Sequence, residues 1–440
     1  MSQPDPQVSL PCSGSHSTVW GRRIHRRLGS ITGAFVLAVA LFVTSARAAE
    51  GLTEVTLAQV VALALAHNTD LRSSGQDVAS ARGARVQAGV FPNPGILVSS
   101  LGSRTSPLAA PVPTQFGVTW TLPIGGKRAA GIAAADSTLS ASKATNAGVR
   151  QQLELNVATQ FVNVLLTQAL LAFARSDQLG LNKTLELNEL RYQDGKIAYG
   201  DVLKLRIQAL ATDDAVRQAE QNLVAASADL AQTVGEGSLA SDFAVQGALD
   251  PAPAVSQVTP ESLLSAALAR RPDYLALASL EESAAHSLTQ ARRQPIPDLG
   301  ILVDYNHSSG SPDSYDISLS IPIPLFDRNS GNIQQAAAVL EKAHLAREAL
   351  RNQLRSLAVK TVAEWRSSAA QAKAYGEGIQ GARQSLDISR LAYQAGRGSL
   401  LDFLGAEVSF RQVESAYRTA LARNALAAYS LRFVGGEEIP

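Results

Sequence analysis

The side chains that could bind a metal or take part in catalysis are scattered along this chain. Four histidines lie after residue 48, namely His67, His286, His307 and His344. None of them is spaced with a cysteine or carboxylate as zinc and copper sites require. The only cysteine is Cys12, near the N-terminus. The sequence therefore predicts neither a metal centre nor a bound cofactor.

Motifs for catalysis or nucleotide binding are also missing from the sequence. Gly125-Gly126-Lys127-Arg128 has the composition of a phosphate-binding loop, but the preceding glycine of a P-loop is absent, so we interpret it as a strand-to-helix turn. There is no H-E-x-x-H and no G-x-S-x-G. A periplasmic hydrolase would need a nucleophile and a base, so we predict that the protein is not an enzyme.

Two related segments carry a glycine followed by an aspartate. Leu190–Gly195 matches Leu391–Gly396, and Asp201 and Asp402 each follow six residues after the glycine. Glycine after a helix accepts the left-handed cap conformation, which predicts a tight reversal of the chain. Ser399 lies three residues before Asp402, as in a capping box, and an acidic residue in the first turn complements the helix dipole. A capping role is therefore one interpretation of both aspartates.

These two turns belong to a duplication that covers most of the chain. Thr56–Pro94 aligns with Thr259–Pro297 without a gap, each residue 203 positions from its partner. That period is too long for a solenoid repeat of roughly 20–50 residues. We predict one structural half built twice, with repeats at residues 49–254 and 255–440 and a linker at 236–258.

The N-terminal residues have the pattern of a secretory signal peptide. Four arginines between positions 22 and 27 precede an apolar run, Ile31–Val43, and Ala46-Arg47-Ala48 supplies small residues for cleavage. The run is too short for a spanning helix of about 20 residues. We therefore expect residues 1–48 to be removed after export. Because Cys12 precedes the apolar run, we expect no lipid anchor.

Composition favours long helices over a large globular core. After residue 48 the chain has 34 basic and 37 acidic residues, so no basic excess favours nucleic acid. Aromatic residues make up 5% of the chain, while alanine is abundant. Little interrupts a helix from Lys127 to about Asp194 or from Asn332 to about Ala395. The charge-free stretch Leu155–Ala174 has a polar stripe at helical spacing, so we interpret it as a packed helix rather than a membrane span.

Short segments of alternating polarity predict strands. Thr114–Leu122, Leu299–Asn306 and Tyr315–Ile321 alternate apolar and polar residues, and Ile96–Leu101 does so less regularly. Alternation over about nine residues is typical of outer-membrane strands, although soluble sheets show it too. We predict that one set of side chains faces lipid, namely Phe116, Val118, Trp120, Tyr315, Ile317 and Leu319. A second set should face a lumen, namely Thr119, Thr121, Ser318 and Ser320.

Four strands cannot close a barrel within one chain. A sheet in lipid leaves no free edges, and the smallest known barrels have about eight strands. Copies of the chain must therefore combine their strands, giving eight, twelve or sixteen.

Taken together, the duplication, the strand pairs and the two turns resemble the TolC family of outer-membrane efflux channels. The resemblance implies a mainly α fold with a small β part: a trimeric α-helical barrel continued by a 12-stranded transmembrane β-barrel, four strands per protomer. It also implies a passive conduit in the outer membrane, extending into the periplasm. The implied partners are two further copies, outer-membrane lipid, a periplasmic membrane-fusion adaptor and an inner-membrane resistance-nodulation-division pump.

The resemblance also assigns a role to the turns. Asp201 and Tyr393 match positions that hold the periplasmic mouth shut between neighbouring helices. Arg397 precedes Gly398, where the best-known family member carries an arginine. The predicted tip and gate residues are Tyr192, Gly195, Asp201, Tyr393, Gly396, Arg397 and Asp402.

Two junction segments resemble the heavy-metal branch of this family. They are Leu122–Arg128 and Ile321–Asn329, and Phe91-Pro92-Asn93-Pro94 fits the same branch. This implies divalent cations such as those of cobalt, zinc, cadmium, nickel and copper as the cargo. Two alternatives stay open: the same channel serving multidrug efflux or type I protein secretion, and a soluble periplasmic coiled-coil scaffold.

Overall fold

The computed structural model describes residues 54–99, 115–235, 239, 243–250, 258–307 and 312–439. The predicted signal peptide lies outside these residues, as do the loop 102–113 and most of the predicted linker.

Each half of the chain contributes the same series of helices and longer strands. The first half contains β1 (Glu54–Val55), α1 (Leu57–His67), α2 (Thr69–Ala88), β2 (Gly95–Ser99), β3 (Gln115–Leu122), α3 (Lys127–Gln193), α4 (Tyr199–Val234) and β4 (Ala244–Val245). The second contains α5 (Pro260–Arg270), α6 (Pro272–Arg293), β5 (Leu299–Asn306), β6 (Ser314–Ser320), α7 (Ser330–Gln394) and α8 (Leu400–Gly435). The predicted order of helices and strands is confirmed in both halves.

The long helices α3 and α7 set the dimensions of the molecule. They contain 67 and 65 residues, and at 1.5 Å per residue each is about 100 Å long. The preceding helices α2 and α6 end at Ala88 and Arg293, just before the proline pairs that disfavour helical backbone. Each long helix thus connects the sheet to a distant turn.

The main core lies where the short helices pack on the long ones. In the first half, buried side chains of α1, α3 and α4 meet the residues Val55 and Val245 of the small strands. β1 and β4 pair in parallel, although β4 falls in the segment predicted as a linker. Two-residue strands have no periodicity, which is why this pair could not be predicted from the sequence. A related cluster in the second half joins α5, α7 and α8.

Among the described residues, one helix is long and apolar enough to cross a membrane by length and composition. This is α3, and 39% of its most apolar window is buried within the chain. Val157, Phe161 and Val164 contribute to the core, while Asn156 and Asn163 of the polar stripe are exposed. This is the burial pattern of a helix packed between its neighbours and water.

The second sheet has the order β2-β3-β5-β6 and is antiparallel throughout. The two hairpins, one from each half, join through β3 and β5. β2 and β6 are therefore the edges, and neither has an outer partner among the described strands. β2 begins one residue before the predicted Ile96, and the predicted residues 100 and 101 lie outside the described part of the chain. β6 begins and ends one residue earlier than predicted.

Candidate functional site: sheet faces and helix turns

Cross-strand register gathers apolar side chains on one face of the four-stranded sheet. One row contains Val98, Phe116, Tyr305 and Tyr315. The next row contains Ile96, Val118, Val303 and Ile317, and a third contains Trp120, Ile301 and Leu319. Residues directly opposite each other share a face, so all six side chains predicted to face lipid lie on one surface. That surface is largely exposed in the single chain.

The opposite face carries hydrogen-bonding side chains. It includes the predicted Thr119, Thr121, Ser318 and Ser320, because these alternate with the apolar residues. Near one end, Asp304 lies directly opposite Asp316. The Gln115 amide donates to Asp304 at 2.6 Å, and the Asn306 amide donates to Asp304 at 2.8 Å and to Asp316 at 2.7 Å.

At the other end of the long helices, two glycines reverse the chain. Gly195 and Gly396 both have φ of +69°, as expected for left-handed caps. The Gly195 N–H donates to the Tyr192 carbonyl and the Gly396 N–H donates to the Tyr393 carbonyl, at 2.9 and 3.0 Å. The Arg397 N–H donates to the Ala392 carbonyl at 2.9 Å. The two turns are therefore built in the same way.

The returning helices begin differently in the two halves. Ser399 caps α8 by accepting from the Asp402 N–H at 3.1 Å, and its hydroxyl donates to the Asp402 carboxylate at 2.7 Å. This confirms a side-chain cap at Ser399, with the carboxylate bound to the hydroxyl. Asp201 lies in the first turn of α4 and accepts from the Lys204 ammonium at 3.3 Å. Tyr192 contacts the Tyr199 ring, with centroids 5.4 Å apart.

Tyr393 has its own partner within the chain. Its hydroxyl donates to the Asn188 amide oxygen at 2.6 Å, and the Asn188 amide donates to the Thr184 carbonyl at 2.7 Å. The Tyr393 ring stacks on Phe403, with centroids 5.8 Å apart. Burial, and second the charge of Asp201, raise the pKa of Tyr393, so it stays a hydrogen-bond donor at neutral pH. This tyrosine joins α3, α7 and α8.

A buried carboxyl lies further along the same helices. Glu407 on α8 is 3% exposed, and burial together with the nearby Asp177 carboxylate raises its pKa to about 7. Arg411 and Arg390 oppose that shift. Asp177 on α3 accepts from Arg411 at 3.1 Å, and burial raises the pKa of Asp177 as well.

The described part of the chain contains no cluster of metal-binding side chains. No group of three His, Cys, Asp or Glu side chains there could hold a metal ion. His286, His307 and His344 each lie near a single carboxylate.

The four-stranded sheet has the alternation that outer-membrane strands also show, and it is joined to helices about 100 Å long. The chain matches the family described as outer membrane efflux protein over residues 60–236 and 263–437, one match in each half. The chain therefore belongs to this family, whose members are transport proteins and not enzymes. The predicted fold and the outer-membrane efflux function are confirmed.

Similar proteins include exporters with named cargo. The chain is 28% identical to the cobalt-zinc-cadmium resistance protein CzcC of Cupriavidus metallidurans, over 86% of this chain and 88% of CzcC. It is 29% identical to the nickel-cobalt-cadmium resistance protein NccC of Alcaligenes xylosoxydans xylosoxydans, over 70% of each. It is 25% identical to the alkaline protease secretion protein AprF of Pseudomonas aeruginosa, over 65% of this chain and 62% of AprF.

Among solved structures, the transmembrane channel CusC has the same fold. Its TM-score is 0.74 at 19% identity, and the match covers 87% of this chain and 92% of CusC.

Sequence reasoning missed three features of these regions. Asn188 gave no signal, because an asparagine within a long helix is ordinary until its partner is known. Asp304 and Asp316 had one signal, since both occupy polar positions of alternating strands. Glu407 had none, because its burial depends on helices more than 200 residues apart in sequence.

Proposed function

We propose that this protein is the outer-membrane channel of a tripartite export system for divalent heavy-metal cations, such as those of cobalt, zinc, cadmium, nickel and copper. The observation that carries the cargo is the similarity to CzcC and NccC over most of the chain. The channel itself is passive, and energy comes from an inner-membrane pump of the resistance-nodulation-division type through a periplasmic adaptor.

The assembled channel is a homotrimer in this proposal. Among the described strands of each chain, β2 and β6 are edges without an outer partner, and a sheet in lipid must close. Three copies of four strands give a twelve-stranded barrel. The apolar face with Val118 and Ile317 then contacts lipid, while the face with Thr119 and Ser318 lines the lumen.

The charge of the luminal face suits cationic cargo. In a trimer, Asp304 and Asp316 supply six carboxyl groups near one end of the barrel. Rings of acidic side chains favour cations in channels. The same carboxyl groups accept hydrogen bonds from amides of this chain, and Asp304 is buried within the single chain.

The helix turns form the periplasmic end in this proposal and contact the adaptor. The gate lies at the turns that include Tyr192, Gly195, Asp201, Tyr393, Gly396, Arg397 and Asp402. The support is the contact between Tyr393 and Asn188, which ties α7 to α3 within one protomer. The mature chain begins after Ala48 and carries no lipid anchor.

Metal accumulation in cells tests the cargo. We expect a strain without this gene to retain more zinc, cobalt or cadmium, and to stop growing at lower metal concentrations, than the same strain carrying the gene. Drug tolerance and protein secretion serve as matched readouts in the same two strains. If the metal content were unchanged while drug tolerance or protein secretion was lost, the metal cargo would be wrong. Drugs or proteins would then be the cargo. The similarity to AprF is the observation that favours secretion as the second candidate.

A further inference from the structure

The segment Ile321–Leu325, which follows β6, is apolar and is exposed in the described part of the chain. Ile321, Ile323 and Leu325 continue the alternation of β6, separated by Pro322 and Pro324. Ile323 is 77% exposed and Leu325 is 65% exposed, and the next residue, Phe326, is 99% exposed. Such exposure of consecutive apolar side chains indicates a surface that another molecule covers.

The first half of the chain contains a counterpart whose backbone is paired with a second strand. The helices α3 and α7 begin at Lys127 and Ser330, 203 positions apart, and each follows a residue in the left-handed conformation. Counting back by the same offset, Ile321–Leu325 corresponds to Val118–Leu122, the second half of β3. That part of β3 is paired with β5 along its whole length.

The same offset relates the two hairpins to each other. Leu97 pairs with Gly117, and the residues 203 positions further along, Gly300 and Ser320, also pair. Ser99 pairs with Gln115, and Leu302 pairs with Ser318. The strand register is therefore the same in the two hairpins. A residue pair in one half predicts a pair between the residues 203 positions away in the other half.

One contact of the first half has no counterpart within the chain. Trp120 lies opposite Ile301 and Leu122 lies opposite Leu299, which joins the two hairpins. The equivalent residues are Ile323 with Val98 and Leu325 with Ile96. These lie at opposite edges of the sheet, and Ile96 is 85% exposed. Only the β2 of another copy can meet them.

We propose that Ile321–Leu325 extends β6 on assembly and pairs with β2 of the next copy, Ile323 opposite Val98 and Leu325 opposite Ile96. The proposal rests on the ring assembly of the proposed function and deepens it, because it assigns the register of the seam between copies. It also gives the Ile-Pro-Ile-Pro-Leu-Phe motif a structural role, since the motif supplies the strand that β2 of the neighbour lacks.

The two prolines are compatible with this pairing. Successive residues of a strand direct their backbone groups to opposite sides, so Pro322 and Pro324 remove donors from one side only. Ile321, Ile323 and Leu325 keep their N–H groups on the other side. In the single chain the Leu325 N–H donates to the Ile323 carbonyl at 2.9 Å, and pairing with β2 would replace this turn.

The junction between Leu325 and the start of α7 also has an expected contact, which the 203-residue offset derives from the first half. In the first half, the Gly126 carbonyl accepts from Arg293 at 2.9 Å, and Lys127 pairs with Asp298 at 2.8 Å. The loop between α6 and β5 thus holds the start of α3. The equivalent loop for α7 is 90–95 of the next copy, where Phe91 is partly exposed. Phe326 would be covered there.

Disulfide crosslinking tests the register in the full-length protein, in a Cys12→Ser background. One variant carries Val98→Cys with Ile323→Cys. The matched control carries Val98→Cys with Leu319→Cys, on the same face but four residues away. Four strand residues span roughly 13 Å, beyond the roughly 7 Å between Cα atoms that a disulfide bridges. Mass measurement in detergent first establishes the number of copies in each variant.

We expect oxidation to convert most of the Ile323 variant to covalent trimers, and less than about a tenth of the Leu319 variant. Crosslinking of Leu319 instead of Ile323 would overturn the register while the ring stands, as would a trimer in which neither pair crosslinks. A monomeric protein would overturn the ring assembly itself. If the Ile323 variant does not assemble, Ile96→Cys with Leu325→Cys tests the same register.

Discussion

The two ends of this protomer differ in how much of their apolar surface and how many of their backbone groups have partners within the chain. At the sheet, both edge strands lack outer partners among the described residues, and a whole face of large apolar side chains is exposed. At the turns, Leu181, Leu205, Leu386 and Phe403 form a buried cluster from all four long helices. Tyr393 adds a hydrogen bond across that cluster. In the proposed assembly, lipid and other copies complete the sheet end, whereas the turn end is already packed within one chain.

We assign assembly to the sheet end and movement to the turn end. The sheet end needs neighbouring copies to pair its edge strands, so the closing of the sheet determines the number of copies. An end that is packed within the chain can shift relative to its neighbours without unfolding, which suits a gate. The following predictions test each side of the contrast, from the largest expected effect to the smallest.

Removing the buried aromatic side chain of Phe403 at the turns should have the largest effect on local stability. Phe403 is 1% exposed and stacks on Tyr393, so Phe403→Ala should cost about 3–5 kcal/mol. Hydrogen exchange should become faster around both turns. Leu401→Ala is the matched control, because Leu401 is 74% exposed. Equal exchange in the two variants would show that the turn end is not held by its own core.

Charge on the apolar face of the sheet should prevent assembly. Val118→Arg should cost about 2–4 kcal/mol if this face meets the bilayer midplane, and Thr119→Arg on the opposite face should cost much less. The yield of trimer in outer-membrane extracts measures the difference. Normal assembly of the Val118 variant together with failure of the Thr119 variant would mean that the faces are inverted.

The buried carboxyl at Glu407 should make the turn end sensitive to pH. Its folded pKa, about 7, lies above the ordinary value of 4.5, so the folded state binds the proton more strongly. The contribution of Glu407 to stability is therefore most favourable below pH 4.5 and falls as the pH rises to about 7, above which the full cost of burying the charge remains. Glu407→Gln should stabilise by about 1–3 kcal/mol at pH 8 and have little effect at pH 4.

Thermal unfolding at both pH values measures this effect. Glu186→Gln, on an exposed part of α3, is the matched control and should leave the pH dependence unchanged. If the stability of the Glu407→Gln variant depended on pH as steeply as that of the parent protein, Glu407 would not be the cause of the pH dependence.

Loosening the Tyr393 contact should have the smallest energetic effect but a functional one. Tyr393→Phe removes the hydrogen bond to Asn188, for a cost of about 0.5–1.5 kcal/mol. If this contact holds the mouth closed, single-channel conductance in lipid bilayers should rise while the trimer persists. Combining Asp201→Ala with Tyr393→Ala should raise it further. Tyr375→Phe, on α7 but outside the gate residues, is the control. Unchanged conductance in the Tyr393 variants would leave that contact a packing role only.

Much of the fold could be predicted because its main features follow from repeated or local sequence patterns. The 203-residue offset, the proline pairs and the cap glycines Gly195 and Gly396 correspond to the observed repeat, helix ends and turns. Strand alternation placed Val118 and Ile317 on one face, since side chains in a strand have a period of two. Such patterns can be recognised without knowing which distant residues are neighbours in space.

The missed features depend on contacts between distant residues. The partner of Tyr393 is Asn188, 205 positions away, and neither residue differs from its neighbours in pattern. Glu407 becomes buried only when α3, α7 and α8 pack together. The register proposed for the segment after β6 also depends on the structure, because it uses the offset of 203 between the helix starts Lys127 and Ser330.

The mass of the purified, detergent-bound protein tests the central claim most directly, namely that each chain is one third of a closed channel. Native mass spectrometry of the processed chain should give three copies per particle across several mild detergents. A stable monomer, independent of detergent, would contradict this claim, because two free edges and an exposed apolar face would then have no partner.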